Sequence, residues 1–109
     1  MPNDLFGKCP YVTTQKLLSG KWSIYILYLL SDKTARFNEL HRMMPEEMTH
    51  TTLSRQLKLL EQEGLIIRRE FQTIPPKVEY ELSEIGSKFF PVLETLKSWG
   101  DEYIAYLAK

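Results

Sequence analysis

At 109 residues the chain has room for one core and little else, and its 43% apolar content, with two Trp, six Tyr and five Phe, excludes intrinsic disorder. Its longest apolar run, Trp22 to Leu30, falls far short of the roughly 20 residues that span a bilayer. Net charge is zero but unevenly spread: residues 1–35 carry four basic against two acidic groups, residues 36–77 seven against six, and residues 78–109 three against six, so cationic faces are available to a nucleic-acid partner.

The opening Met1-Pro2-Asn3-Asp4 has no basic start before an apolar stretch, so no signal peptide is expected. One cysteine cannot staple the chain internally, and a reduced, cytoplasmic setting is expected. Pro10 to about Ser19 predicts a first short helix, with proline at its first position and Gly20 just past its end. Lys21 to Ser31 is apolar on nearly every side (Trp22, Ile24, Ile26, Leu27, Leu29, Leu30), which predicts a buried helix forming the spine of the core. Ala35-Arg36-Phe37 reads as a short extended piece. Asn38 then offers a helix cap before Glu39-Leu40-His41-Arg42-Met43, and Pro45-Glu46-Glu47 ends that helix in a turn.

The next helix has the best-defined ends in the sequence. Thr49 is its N-cap, and Met48 before it can staple onto Leu53. Leu53, Leu57 and Leu60 form one stripe, while Gly64 suits a left-handed cap that folds Leu65 back on Leu60. Beyond Leu65 the pattern alternates, predicting strands over Ile66–Gln72 and Val78–Leu82 around a stiff Thr73-Ile74-Pro75-Pro76-Lys77 tip. Ser83 caps a long helix to about Leu107, expected to kink at Pro91.

Helix, helix, short strand, helix, turn, helix, hairpin, helix is the order of a winged helix–turn–helix, a mainly α (α+β) fold with a small β-hairpin. Residues 1–109 read as one domain: an N-terminal arm and helix over 1–20, the helix–turn–helix over 38–63, the wing over 66–82 and a C-terminal helix over 83–107. That last helix is aromatic-rich and carries more apolar surface than one small core needs. Leu93, Leu96, Trp99, Tyr103 and Leu107 are therefore the candidate dimer interface.

Opposite the leucine stripe lie Thr51, Arg55, Lys58 and Gln62, with Glu61 and Glu63 held back to the last turn. Hydroxyls, amides and cations of this kind suit base edges and phosphates, or form an ordinary solvated face. The candidate DNA-binding residues are Thr49, His50, Thr51, Thr52, Arg55 and Lys58 on the helix, with Arg36, Arg69 and Lys77 around the wing. Arg68 also flanks the tip, which is either a DNA-contacting wing or only a proline-stiffened hairpin. Cys9 precedes Pro10 at the start of the first helix beside Lys8, a setting that favours the thiolate and makes it the candidate redox-sensing residue. No metal is expected, because His41 and His50 lack further ligands at suitable spacing. No catalytic residues or cofactor are expected either, since nucleophile–base pairs, phosphate loops and paired carboxylates are missing from the sequence.

These blocks resemble the HxlR-type regulators, relatives of the MarR group. Cys9-Pro10, Leu18-Ser19-Gly20-Lys21-Trp22, Ile26-Leu27 and Leu30 resemble the family's opening. Arg36-Phe37-Asn38-Glu39-Leu40 resembles its entry strand. Met48-Thr49-His50, Leu53-Ser54-Arg55-Gln56-Leu57, Leu60-Glu61 and Gly64-Leu65-Ile66 resemble its recognition helix. Pro75 through Ser83, with Gly86, resembles its wing and exit. The resemblance, over roughly residues 9 to 100, implies a homodimeric regulator binding an inverted-repeat operator in double-stranded DNA, with its terminal helices in the dimer interface. It also implies that a cysteine at the position of Cys9 senses oxidants, quinones or aldehydes in some members. Thr51 stands where many relatives carry a basic residue, which bears on base preference. The alternatives are a winged-helix module that binds protein without DNA, against which Arg55, Lys58 and Lys77 speak, and a regulator controlled by a small molecule at the dimer interface.

Overall fold

A computed structural model of the protein describes residues 5–109; the start of the N-terminal arm, Met1 to Asp4, on which the signal-peptide expectation rests, lies outside them. The elements run α1 (Pro10–Leu17), α2 (Ser23–Leu29), β1 (Ala35–Arg36), α3 (Phe37–Arg42), α4 (His50–Gln62), β2 (Ile66–Phe71), β3 (Lys77–Leu82), α5 (Glu84–Ser87) and α6 (Phe90–Leu107). The three strands make one antiparallel sheet in the order β1-β3-β2, with Ala35 opposite Tyr80 and Ile66 opposite Leu82. This is the expected winged helix–turn–helix.

The core forms where the sequence stripes meet. Ile26 and Leu27 of α2, Leu40 of α3 and Leu53, Leu57 and Leu60 of α4 are all fully buried, and Met44, Met48, Leu65, Ile66 and Tyr80 close around them. Thr49 caps α4 as expected, its hydroxyl accepting the Thr52 N–H at 3.1 Å. Gly64 ends it with φ +80°, and the Leu65 N–H returns to the Leu60 carbonyl at 3.0 Å. Among the described residues no helix is long and apolar enough to cross a membrane.

Four local expectations are corrected. Asn38 is not a cap: α3 begins two residues earlier, with Arg36 as N-cap, because the Glu39 carboxylate reaches back to the Arg36 N–H at 2.7 Å. Gly20 does not close α1, which ends at Leu17 with Leu18 as its cap; Gly20 keeps an ordinary φ and instead lies close against the Gln56 side chain of α4. The α2 helix is buried on one side only, for Ile24 and Tyr28 are 42% and 58% exposed. Finally, the C-terminal helix is broken, not kinked. Pro91 has no N–H to offer the preceding turn, so α5 stops at Ser87 and Pro91 becomes the second residue of a new helix.

Because of that break α6 leaves the body of the molecule. It is anchored by Leu93, its one buried residue, while Phe90, Trp99, Tyr103, Ile104, Tyr106 and Leu107 stay exposed. The radius of gyration, 15.7 Å, exceeds the about 13 Å of a compact chain this long for the same reason. Of the five candidate interface residues, Leu93 therefore serves its own protomer, and Leu96, Trp99, Tyr103 and Leu107 remain open to a partner. α1 likewise buries none of its residues, and Tyr11 is 85% exposed.

The turn into α5 depends on Gly86, where an added Cβ would run into the Leu65 carbonyl oxygen, itself held by the Ser83 N–H at 3.0 Å. Gly86→Ala is expected to cost about 1–3 kcal/mol, read as a lower urea midpoint. An unchanged midpoint would show that the wing exit gives way freely.

Candidate nucleic-acid interface

The outer face of α4 follows from its inner one. With Leu53, Leu57 and Leu60 pinned inward, Thr51, Ser54, Arg55 and Lys58 are turned to solvent. Together with Phe37 and His50 they line a shallow groove between the start of α3 and the flank of α4. Neither Arg55 nor Lys58 has a salt-bridge partner among the described residues. Thr49 and Thr52 play a structural part, since the Thr49 hydroxyl donates to Thr52 Oγ1 at 3.0 Å while it caps the helix, and the pair holds the start of α4 in shape. The helical pattern of the sequence does not mark Ser54, which flanks the polar stripe; only the folded position of Phe37 brings it into the groove.

A second feature was invisible in sequence. His41 and His50 meet edge to face with ring centroids 4.2 Å apart, and Phe37 packs on both, at 6.3 Å and 5.5 Å. His41 Nε2 lies 2.8 Å from the Met48 carbonyl, and since a carbonyl only accepts, the imidazole donates. The two histidines thus tie α3, the turn and α4 into one unit. Tyr25 ties α2 to it, its hydroxyl donating to the Met43 carbonyl at 3.1 Å. Among the described residues no three His, Cys, Asp or Glu side chains converge as a metal site.

The cations of the wing strands, Arg68, Arg69 and Lys77, are ion-paired. The register sets Arg36 opposite Glu79 and Glu79 opposite Arg69, so Arg36, Arg69 and Lys77 share one sheet face with Glu79 and Glu81. Arg69 Nε donates to Glu81 at 2.7 Å, a bond that holds the guanidinium above its ordinary pKa. The Lys77 ammonium is 3.5 Å from Glu79 and 4.8 Å from the Phe71 ring centroid. Arg68 lies on the opposite face, 3.1 Å from Glu70. The alternation that defines β3 places its acids where the cations are, which leaves the wing stiff and close to neutral.

Arg36 also lines a cleft between α3 and the start of β3 beside the hairpin tip, together with Arg42 and Lys77. Glu39 is the one acid there. Its carboxyl is held below the usual range first by the Arg36 N–H hydrogen bond, with burial opposing and the charges of Lys33, Arg42 and Arg36 adding to the effect.

A helix–turn–helix whose second helix turns unpaired cations outward, followed by a two-stranded hairpin, defines the winged helix–turn–helix class of DNA-binding domain. The chain belongs to the HxlR-like helix-turn-helix family, whose model matches residues 17–107. Over 101 residues it is 42% identical to the HTH-type transcriptional regulator YdeP of Bacillus subtilis (strain 168), covering 93% of this chain and 78% of the relative. Among solved structures it is similar to the redox regulator HypR in its reduced form, with a TM-score of 0.84 at 35% identity over 92% of this chain and 98% of the other. It is also similar to the reduced transcriptional regulator YodB of B. subtilis, with a TM-score of 0.75 at 30% identity over 87% and 93% of the two chains. The chain is a transcriptional regulator of the helix–turn–helix type and not an enzyme.

The lowered pKa of Glu39 makes the α3 cap pH-dependent. Its stabilising share is complete above the unfolded carboxylate pKa and is lost as the pH falls through the lower folded value. The stability difference between wild type and Glu39→Gln, measured by urea unfolding, is expected to be present at neutral pH and to close in acid. A difference constant with pH would mean that the carboxylate charge plays no part in the cap.

Proposed function

We propose that the protein acts as a homodimer that binds an inverted-repeat operator in duplex DNA, with α4 of each protomer in one of two successive major grooves. The observation that carries this reading is the outward face of α4, where Arg55 and Lys58 stand unpaired beside Thr51 and Ser54 above a fully buried leucine stripe. Arg55 can take two guanine acceptors at once, Lys58 and Thr51 suit phosphates or base edges, and His50 lines the same groove. Thr49 and Thr52 shape the helix start, whose free N–H groups suit a phosphate. Arg36 and Lys77 border the cleft between α3 and the tip-side start of β3, and Arg69 reaches DNA only by exchanging Glu81 for a phosphate. The dimeric state is supported by the exposed apolar side chains of α6, with Trp99 and Tyr103 stacked at 5.3 Å, and by an α1 that has no buried residue.

Cys9 is the proposed sensor of oxidants or electrophiles. It is the N-cap residue of α1, half-buried, and its thiol makes no capping hydrogen bond. As the single cysteine of the chain it forms a disulfide only with a second chain or a small thiol. The likeness to HypR, a redox regulator, supports this role.

A specific observation also favours a small-molecule effector: an open, mostly apolar groove of about 760 Å³ between α2 and α6. Trp22, Tyr28, Phe90 and Leu96 line it, and so does Tyr25, whose hydroxyl holds the end of α3.

Selection from randomised duplexes with reduced protein is expected to enrich an inverted repeat. Affinity for it should fall steeply with salt, and Arg55→Glu or Lys58→Glu should abolish binding while the far-UV spectrum stays unchanged. No enrichment from a folded dimer would overturn the DNA reading in favour of a protein-binding module or a ligand-dependent regulator. Diamide or a quinone is expected to weaken operator binding by the wild type and to leave Cys9→Ser unaffected; an equal response in both would remove Cys9 from the sensing step.

A further inference from the structure

In the cleft between α3 and the tip-side start of β3 the cationic side chains of the lining outnumber its acids, of which Glu39 is one. One wall is the outer side of α3, with Asn38 and Arg42 one turn apart; the other is the start of β3 beside the hairpin tip, with Lys77, and Arg36 sits where β1 enters α3. Three cationic side chains thus line one cleft of about 510 Å³. Glu39 offsets them only in part, because one of its carboxylate oxygens is already engaged by the Arg36 N–H. Neither Arg36 nor Arg42 has a salt-bridge partner among the described residues, in contrast to the paired arginines of β2. The lowered carboxyl pKa of Glu39, to which Arg42 and Arg36 both contribute, is a second sign of the positive field.

The side chain of Phe37 lines this cleft and also the groove that runs along α4 past Thr51, Ser54 and Arg55. It is therefore a ridge between two adjacent recesses. On one side are groups suited to base edges, and on the other are the Arg36 and Arg42 cations, without a salt-bridge partner among the described residues, the Asn38 amide and Lys77. In duplex DNA the phosphates border the major groove, so a strand whose bases face α4 carries its backbone over that ridge.

We infer that the cleft between α3 and the tip-side start of β3, centred on Arg42 with Asn38 and Lys77, seats a backbone phosphate of the bound DNA strand. This deepens the DNA-binding reading and rests on it, and it adds Arg42 and Asn38 to the contacts, neither of which the sequence marked as a DNA contact. Arg42 forms the charged contact and the Asn38 amide donates a neutral hydrogen bond. Lys77 exchanges its 3.5 Å ion pair with Glu79 for the phosphate. Such a seat fixes the register of the protein on the duplex and carries no base preference of its own.

The test uses the full-length protein and two probes: the duplex enriched by selection and a random-sequence duplex. Arg42→Ala is expected to weaken both complexes by about the same factor, roughly tenfold, and to lower the slope of log affinity against log salt by about one. Arg42→Lys keeps the charge and is expected to keep the slope. Arg42 is exposed, so an unchanged unfolding midpoint separates loss of contact from loss of fold. If the wild type binds DNA and Arg55→Glu abolishes it, but Arg42→Ala changes neither affinity nor slope, the cleft is not a DNA phosphate seat although the DNA reading stands. If the wild type binds no duplex, both fall together. Titration with inorganic phosphate, followed by NMR, distinguishes the remaining source. Saturable binding lost in Arg42→Ala while DNA affinity is unchanged would make the cleft a site for a free anion and overturn the inference.

Discussion

The burial of three leucines on one side of α4 is the constraint from which the rest of the interface follows. Leu53, Leu57 and Leu60 are each at most 1% exposed. Each contributes about 1.5–3 kcal/mol by leaving water, whereas turning Arg55 inward would bury an unpaired charge at a cost of several kcal/mol. No rotation of α4 about its axis competes with the one observed. The helix is also locked along its length, by the Thr49 hydroxyl at its start and the Leu65-to-Leu60 hydrogen bond at its end. Arg55 and Lys58 are presented to solvent because their neighbours cannot be.

Orientation of α4 relative to the short α3 needs more than the stripe, since a six-residue helix with one buried side chain has little packing of its own. Polar and aromatic contacts supply it. His41 donates to the turn at Met48 and packs against His50, Tyr25 holds the Met43 carbonyl at the other end of the turn, and Glu39 closes the front of α3. Tyr25 joins segments 18 residues apart, while the histidine contacts and Glu39 act across the turn and within α3.

That distinction explains what was legible in the sequence. Element order, the α4 caps and the strand pairing are set by local periodicity and by residues such as Thr49, Gly64 and Ser83, so the fold and the cationic face of α4 could be read directly. Whatever depended on a partner across space could not. Asn38 is an exception of local origin: it is a sound cap by residue type, but the Glu39 carboxylate, three residues beyond Arg36, settles the cap on Arg36 instead. The wing cations looked free until the register set Glu79 and Glu81 beside them. Leu93 shares helical spacing with Leu96 and Trp99, and only the approach of α6 to α2 decides that it faces inward. His41 and His50 gave no signal because ring contact between two helices leaves no spacing pattern.

In the proposed regulator a signal at the α1 and α6 surfaces needs a physical path to α4, and α2 is the element placed to carry it. One side of α2 buries Ile26 and Leu27 in the core that also holds the α4 stripe, while its other side presents Ile24 and Tyr28 to the groove beside α6. Tyr25, between them, reaches the end of α3. Because Ile26 and Leu27 are at most 1% exposed, α2 cannot slide past α4 without opening a cavity, and the two are expected to move as one body. The soft joint is on the far side, where α6 touches its own protomer chiefly through Leu93 and follows a break at Pro91. A shift of α6 or α1 in the proposed dimer therefore turns whole recognition units relative to each other, instead of deforming the groove that reads DNA. Switching of this kind changes the separation of two rigid readers, to which an inverted repeat of fixed spacing is sensitive.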